Sequence, residues 1–102
     1  MNQTFLILYQ PGSAWIAGQS IYTQSLQEHG QFLLTLYQKR QLRMAGSLGD
    51  ASGVALVLEA PDETQARRIV NSDPAIIHCV FEYELHTWTL VPWECYPKRT
   101  EI

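Results

Sequence analysis

The order of apolar runs and turn signals in this 102-residue chain predicts a single α+β domain of βαββαβ order, the ferredoxin-like arrangement, in which two helices cover one face of a four-stranded antiparallel sheet. Three observations predict it. Four short stretches rich in Leu, Ile, Val, Phe and Tyr are bounded by Gly, Pro and Asp, as strands are. Two intervening segments carry apolar residues at spacings of three and four behind a capping-box pattern, as helices do. Two of the strands are apolar on both sides, which a sheet with one wet face does not need.

Phe5-Leu6-Ile7-Leu8-Tyr9 is the first strand, and Pro11-Gly12 ends it. A loop through Trp15 and Gly18 leads to Ser25-Leu26-Gln27-Glu28. There the Ser25 hydroxyl is expected to accept from the backbone N–H of Glu28, and the Glu28 carboxylate from that of Ser25. The helix that follows, about Leu26 to Gln38 or Arg40, places Leu26, His29, Leu33, Leu36 and Arg40 on the stripe facing the interior. Leu42-Arg43-Met44-Ala45 is a short strand closed by Gly46, Leu48 to Gly53 a hairpin-like connection, and Val54-Ala55-Leu56-Val57-Leu58 the third strand. Asp62 caps a second helix running through Val70, with Gln65 completing the pattern. Asn71-Ser72-Asp73-Pro74 ends that helix, because the residue before proline is pushed out of the helical region. The last strand is expected from about Val80 to Val91. No repeat, linker or low-complexity run interrupts this order, so residues 1–102 are expected to form one domain.

Two-sided apolarity also predicts a partner. Phe5, Ile7 and Tyr9 face one side of the first strand and Leu6 and Leu8 the other, while the third strand is apolar throughout. Helices cover only one face, so the other is expected to be covered by the same sheet of a second copy, giving a homodimer.

A net charge of −3 argues against nucleic acid and anionic membranes as partners. The start, Met1-Asn2-Gln3-Thr4, has no basic n-region and the run Phe5 to Tyr9 is too short for a signal or a membrane span, so a cytoplasmic protein is expected. Cys79 and Cys95 have neither metal-ligand spacing nor the density of a disulfide scaffold. Cys79 is read as buried packing, since no third group completes a thiol nucleophile with His78.

His29 carries the strongest chemical signal, being inward on its helix and next to Gly30, which leaves space beside it. An inward histidine either donates to a backbone carbonyl as part of the core or acts on a ligand. Asp73 likewise has two readings, turn chemistry before Pro74 or a rigidly held carboxylate. Tyr9 at the end of the first strand, Trp15 in the loop and Phe81 or Tyr83 on the last strand are the candidate walls of a small-molecule pocket, although aromatic stripes also build cores. On the last strand Glu82, Glu84 and His86 alternate with Phe81, Tyr83 and Leu85, a polar outer face rather than a metal site, since no further ligand accompanies them.

The string from Phe5 to Trp93 resembles the YCII-related family of small bacterial proteins. The resemblance is carried by Pro11-Gly12-Ser13-Ala14-Trp15, Glu28-His29-Gly30, Ala45-Gly46-Ser47, Glu59-Ala60-Pro61-Asp62-Glu63, Asp73-Pro74-Ala75-Ile76 and Val91-Pro92-Trp93, in that order and spacing. It implies a dimeric α+β barrel, the architecture that the two-sided strands call for on physical grounds. It also implies a dyad in which Asp73 accepts a hydrogen bond from one ring nitrogen of His29, leaving the other free to exchange a proton with substrate. Proteins similar to this family include a dehydrochlorinase of chlorinated hydroxyquinols, and the related barrels include muconolactone isomerases. A lyase or isomerase working on an aromatic or carbonyl metabolite without metal or organic cofactor is therefore expected, with a non-catalytic binding module on the same pocket as the alternative. Hydrolysis is disfavoured, because neither a serine elbow nor paired carboxylates accompany the dyad. The chain departs from the family pattern at Arg40-Gln41, where a glycine often closes the first helix, at Ser47, which replaces a common proline, and at His78-Cys79, which replaces a small pair. The last change falls beside the expected pocket, so no relative's substrate carries over.

Overall fold

The alternation of Phe5, Ile7 and Tyr9 is realised in the middle of a four-stranded antiparallel sheet of order β2-β3-β1-β4. The computed structural model describes residues 2–95, with strands β1 (Gln3–Pro11), β2 (Leu42–Ser47), β3 (Val54–Ala60) and β4 (Phe81–Thr87) and helices α1 (Gln27–Gln38), α2 (Glu63–Asn71) and α3 (Pro74–Ile77). The strand order is the one a βαββαβ chain adopts when each helix crosses the same face. Phe5 stands opposite Leu58 and Ile7 opposite Leu56, and these side chains share one core with Leu36 of α1, Ala66 and Val70 of α2 and Ala75 of α3. Burying each of the larger ones is worth about 1.5–3 kcal/mol, so this layer holds the helices to the sheet. No helix among the described residues is long and apolar enough to cross a membrane.

The opposite sheet face carries Leu6 opposite Val57 and Leu8 opposite Ala55, with Met44 beside Val57 and 61% exposed. Glu82, Glu84 and His86 line the β4 edge of that face, opposite Gln10, Leu8 and Leu6. An apolar centre with a polar margin is therefore left uncovered by the helices.

Several boundaries differ from expectation, each for a local reason. The Ser25 capping box does not form: α1 starts one residue later, with Leu26 at the N-cap position, and no side chain caps it. Leu26 has φ −122° and ψ 13° rather than the extended backbone of a capping residue, and its side chain packs on the core. The box at Asp62 is half made, the carboxylate accepting from the Gln65 N–H at 2.8 Å. Asp73-Pro74 does more than stop α2. It starts α3, with Pro74 in the first turn, where its missing N–H costs nothing, and Asp73 as the cap. Arg40 lies outside the α1 stripe, because it occupies the left-handed position after the helix, at φ 63°. The N–H groups of Arg40 and Gln41 donate to the carbonyls of Tyr37 and Leu36, the Schellman closure that glycine usually serves.

Cys79 closes α3 in the same way at φ 61°, its N–H donating to Ile76 and that of Val80 to Ala75. The Cys79 side chain is exposed, not buried, since a residue at this turn projects away from the helix it ends. β4 is shorter than expected. Its pairing with β1 ends at Phe5–Thr87, although β1 itself begins at Gln3, and after a last bond from the Trp88 N–H to the Thr4 carbonyl the chain leaves the sheet. Gly12 allows the loop after β1 to lie against the end of α3: a Cβ there would collide with the Cys79 carbonyl oxygen.

Candidate active site

Three distant segments meet at the carboxylate of Asp73. It lies in the turn between α2 and α3, fully buried, and its Oδ1 accepts from the Ala75 N–H at 2.9 Å, so the α3 cap also orients the group. The Nδ1 of His29, from the first turn of α1, approaches Oδ2 at 2.7 Å. The hydroxyl of Tyr9, near the end of β1, donates to the same oxygen at 2.7 Å. Tyr9 is 1% exposed, and its ionisation is pushed well above the usual tyrosine range, first by burial and then by the negative charge and hydrogen bond of Asp73. Tyr9 is thus the donor and Asp73 the acceptor.

An acceptor-only carboxylate requires Nδ1 to carry a proton, which leaves the lone pair of neutral His29 on Nε2. Nε2 has no hydrogen-bond partner among the described residues, where no buried side-chain nitrogen or oxygen lacks one. Nε2 is therefore not fully buried, although the residue as a whole is only 6% exposed. His29 lines a cavity of about 390 Å³ together with Gln24, Ser25, Leu26, Gln27, Glu28, Pro74, Ala75 and His78. The Gln24 side chain is already committed to the loop backbone, bonding Ile16 and Gln19, so it shapes the cavity without being available to a ligand.

Among the residues singled out from sequence, His29, Asp73 and Tyr9 are brought together by direct bonds. Phe81 lies against both rings, 5.3 Å from Tyr9 and 5.6 Å from His29, edge-on to each, and Trp15 packs against Phe81 at 5.6 Å. These aromatics form a stack beside the dyad and are not among the residues that line the cavity at His29. Tyr83 lies 6.4 Å from Tyr9, and its hydroxyl donates to Asn71 at 2.9 Å. Phe81 and Tyr83 also line a second hollow of about 320 Å³ with Gly12, Ser13, Ile76 and Cys79. His86 stands 3.5 Å from Glu84 on the outer sheet face, remote from the dyad, and the described residues hold no group of three metal-ligating side chains.

The polar cavity wall was the part that sequence reasoning missed. A signal existed: a helical side chain leans toward the N-terminus of its helix, so a histidine in the first turn looks back over the residues that precede it.

No family model matches the chain. A relative, an uncharacterized protein YjpA of Bacillus subtilis (strain 168), is 34% identical over 62 residues, which span 61% of this chain and 73% of that protein.

Proposed function

We propose that this chain, which belongs to one family with Bacillus subtilis YjpA, is a small YCII-like enzyme of lyase or isomerase type that moves a proton on an aromatic or carbonyl metabolite without metal or organic cofactor. One observation carries the reading: His29 is held through Nδ1 by a fully buried carboxylate, its Nε2 has no partner among the described residues, and the residue lines a cavity. In this role Nε2 takes a proton from the substrate and returns it, Asp73 offsets the charge the ring gains and fixes its tautomer, and Tyr9 keeps Asp73 in place. A positioned acid/base of this kind contributes roughly a hundred- to ten-thousand-fold in rate. A cavity of about 390 Å³ is at the small end of ligand sites and suits a single-ring metabolite.

The uncovered apolar sheet face supports a homodimer packed face to face, the polar β4 margin forming its rim. Such packing would complete a dimeric α+β barrel with the two dyads on its outer, helical layers.

The test is a thermal-shift screen of aromatic lactones, chlorinated quinols and related acids, followed by turnover assays of the compounds that stabilise the chain. A ligand at a hundredfold excess over its Kd adds about 2.7 kcal/mol. His29→Ala is expected to retain binding and lose turnover, and full turnover in that variant would reject the reading. The Asp73 triangle also clamps α1, β1 and α3 together, which favours a second reading as a binding module. Binding without turnover in the unmodified chain would select that one.

A further inference from the structure

Removing a proton from carbon leaves an electron pair that must be accommodated, and the dyad has no group for it. We infer that the first turn of α1 is the oxyanion pole of the site, receiving the ligand oxygen on which negative charge builds as His29 works. The inference rests on the proton-transfer reading and extends it to the substrate class, a neutral carbonyl compound with an acidic neighbouring C–H.

The capping box spelled by Ser25 and Glu28 stays open, and no side chain caps α1. The N–H groups of Gln27, Glu28 and His29 consequently have no acceptor among the described residues; the first helical bond is from Gly30 to the Leu26 carbonyl. Such a turn is positively polarised and ready for an anionic oxygen. The second observation is His29 itself: the side chain is 93% buried, its Nε2 has no partner among the described residues, and the residue lines the same cavity as this turn. Because the imidazole of the third helical residue leans back over the first turn, one ligand can meet both Nε2 and the free N–H groups.

The step balances without a further reactant. A C–H bond of the ligand breaks as an N–H bond forms at Nε2, the C–H electron pair becomes the C=C bond of an enolate, and the carbonyl π pair moves onto oxygen. Return of the proton at another carbon gives an isomer, and loss of a β-substituent with its bonding pair gives an elimination product. Glu28 bears on which oxygen fits. Glu28 lines the same cavity and its carboxylate has no ion-pair partner among the described residues, so it opposes a permanent anion, whereas a carbonyl meets that opposition only while charge develops.

The experiment uses the full chain, ¹⁵N-labelled, titrated with benzoate and with neutral benzamide at matched ionic strength. Both probes are expected to shift the amide signals of Gln27, Glu28 and His29 saturably. Glu28→Gln is expected to tighten benzoate roughly two- to fivefold and leave benzamide unchanged, while Glu63→Gln, at the capped start of α2, alters neither. Absence of saturable shifts at these amides up to the solubility of the probes overturns the pole, as does an equal response of both probes to Glu28→Gln. The dyad is judged separately by turnover in His29→Ala, so either idea can fail alone.

Discussion

Asp73 Oδ2 accepts from two side chains at 2.7 Å each, and the consequences of removing either donor differ. Tyr9→Phe keeps the ring and its packing on Phe81 but leaves the buried carboxylate short of a donor, which is expected to cost about 1–3 kcal/mol by denaturant titration. It also carries a pH signature. Folding raises the ionisation of Tyr9, so the unfolded chain gives up that proton near pH 10 while the folded chain holds it. The stability due to this group is complete below about pH 10 and falls above it by about 1.4 kcal/mol per pH unit. The slope of stability against pH above 10 should therefore be shallower by one proton in Tyr9→Phe than in the unmodified chain. Equal slopes would mean that Tyr9 ionises freely in the folded protein. His29 and Asp73 were legible as candidates because each sits in a local pattern, whereas the use of the Tyr9 hydroxyl on Asp73, 64 residues away, had no local sign.

At the scale of elements, the two capping patterns look alike in sequence and differ in the fold. Asp62→Ala removes a made bond to the Gln65 N–H and is expected to cost about 0.5–2 kcal/mol, whereas Ser25→Ala removes none and should change stability by less than about 0.5 kcal/mol. Matched denaturation curves check both, and a large loss in Ser25→Ala would show that the open start of α1 is closed in solution. The helix ends are predictable in the same terms. Arg40 holds a left-handed conformation that glycine adopts without Cβ strain, so Arg40→Gly is expected to raise the unfolding free energy, read from denaturation curves, by about 0.5–1 kcal/mol after the added freedom of the unfolded glycine is counted. No gain would indicate that the exposed Arg40 side chain makes up the difference in another way.

For the whole molecule the open question is what covers the second sheet face. The apolar centre formed by Leu6, Leu8, Val57 and Met44 is expected to bring two copies together, so sedimentation at micromolar concentration should give twice the chain mass. Leu8→Lys puts a charge in the middle of that face while leaving the helix-side core untouched, and should yield a folded monomer. A monomeric unmodified chain would reject the face-to-face pair. The dyad lies on the other side of the sheet, so the variant also tests whether the site depends on the second copy.

Local periodicity was enough to specify the order of the four strands and the two longer helices, the inward placement of His29 and Leu36 on α1 and the Asp62 cap, because strand alternation and helical repeat are properties of neighbouring residues. The two-sided apolarity of β1 and β3 was equally legible, being written in consecutive residues. Tertiary structure decided the rest. Whether Ser25 caps α1 depended on how Leu26 packs, and whether Asp73 merely ends α2 depended on Pro74 finding a helix to start. The exposure of Cys79 followed from the left-handed turn after α3, and the cavity at His29 from where the first turn of α1 comes to rest. Each of these is set by which groups remain unpaired once the core has closed, and a buried carboxylate takes its donors from wherever the fold delivers them, 44 and 64 residues away.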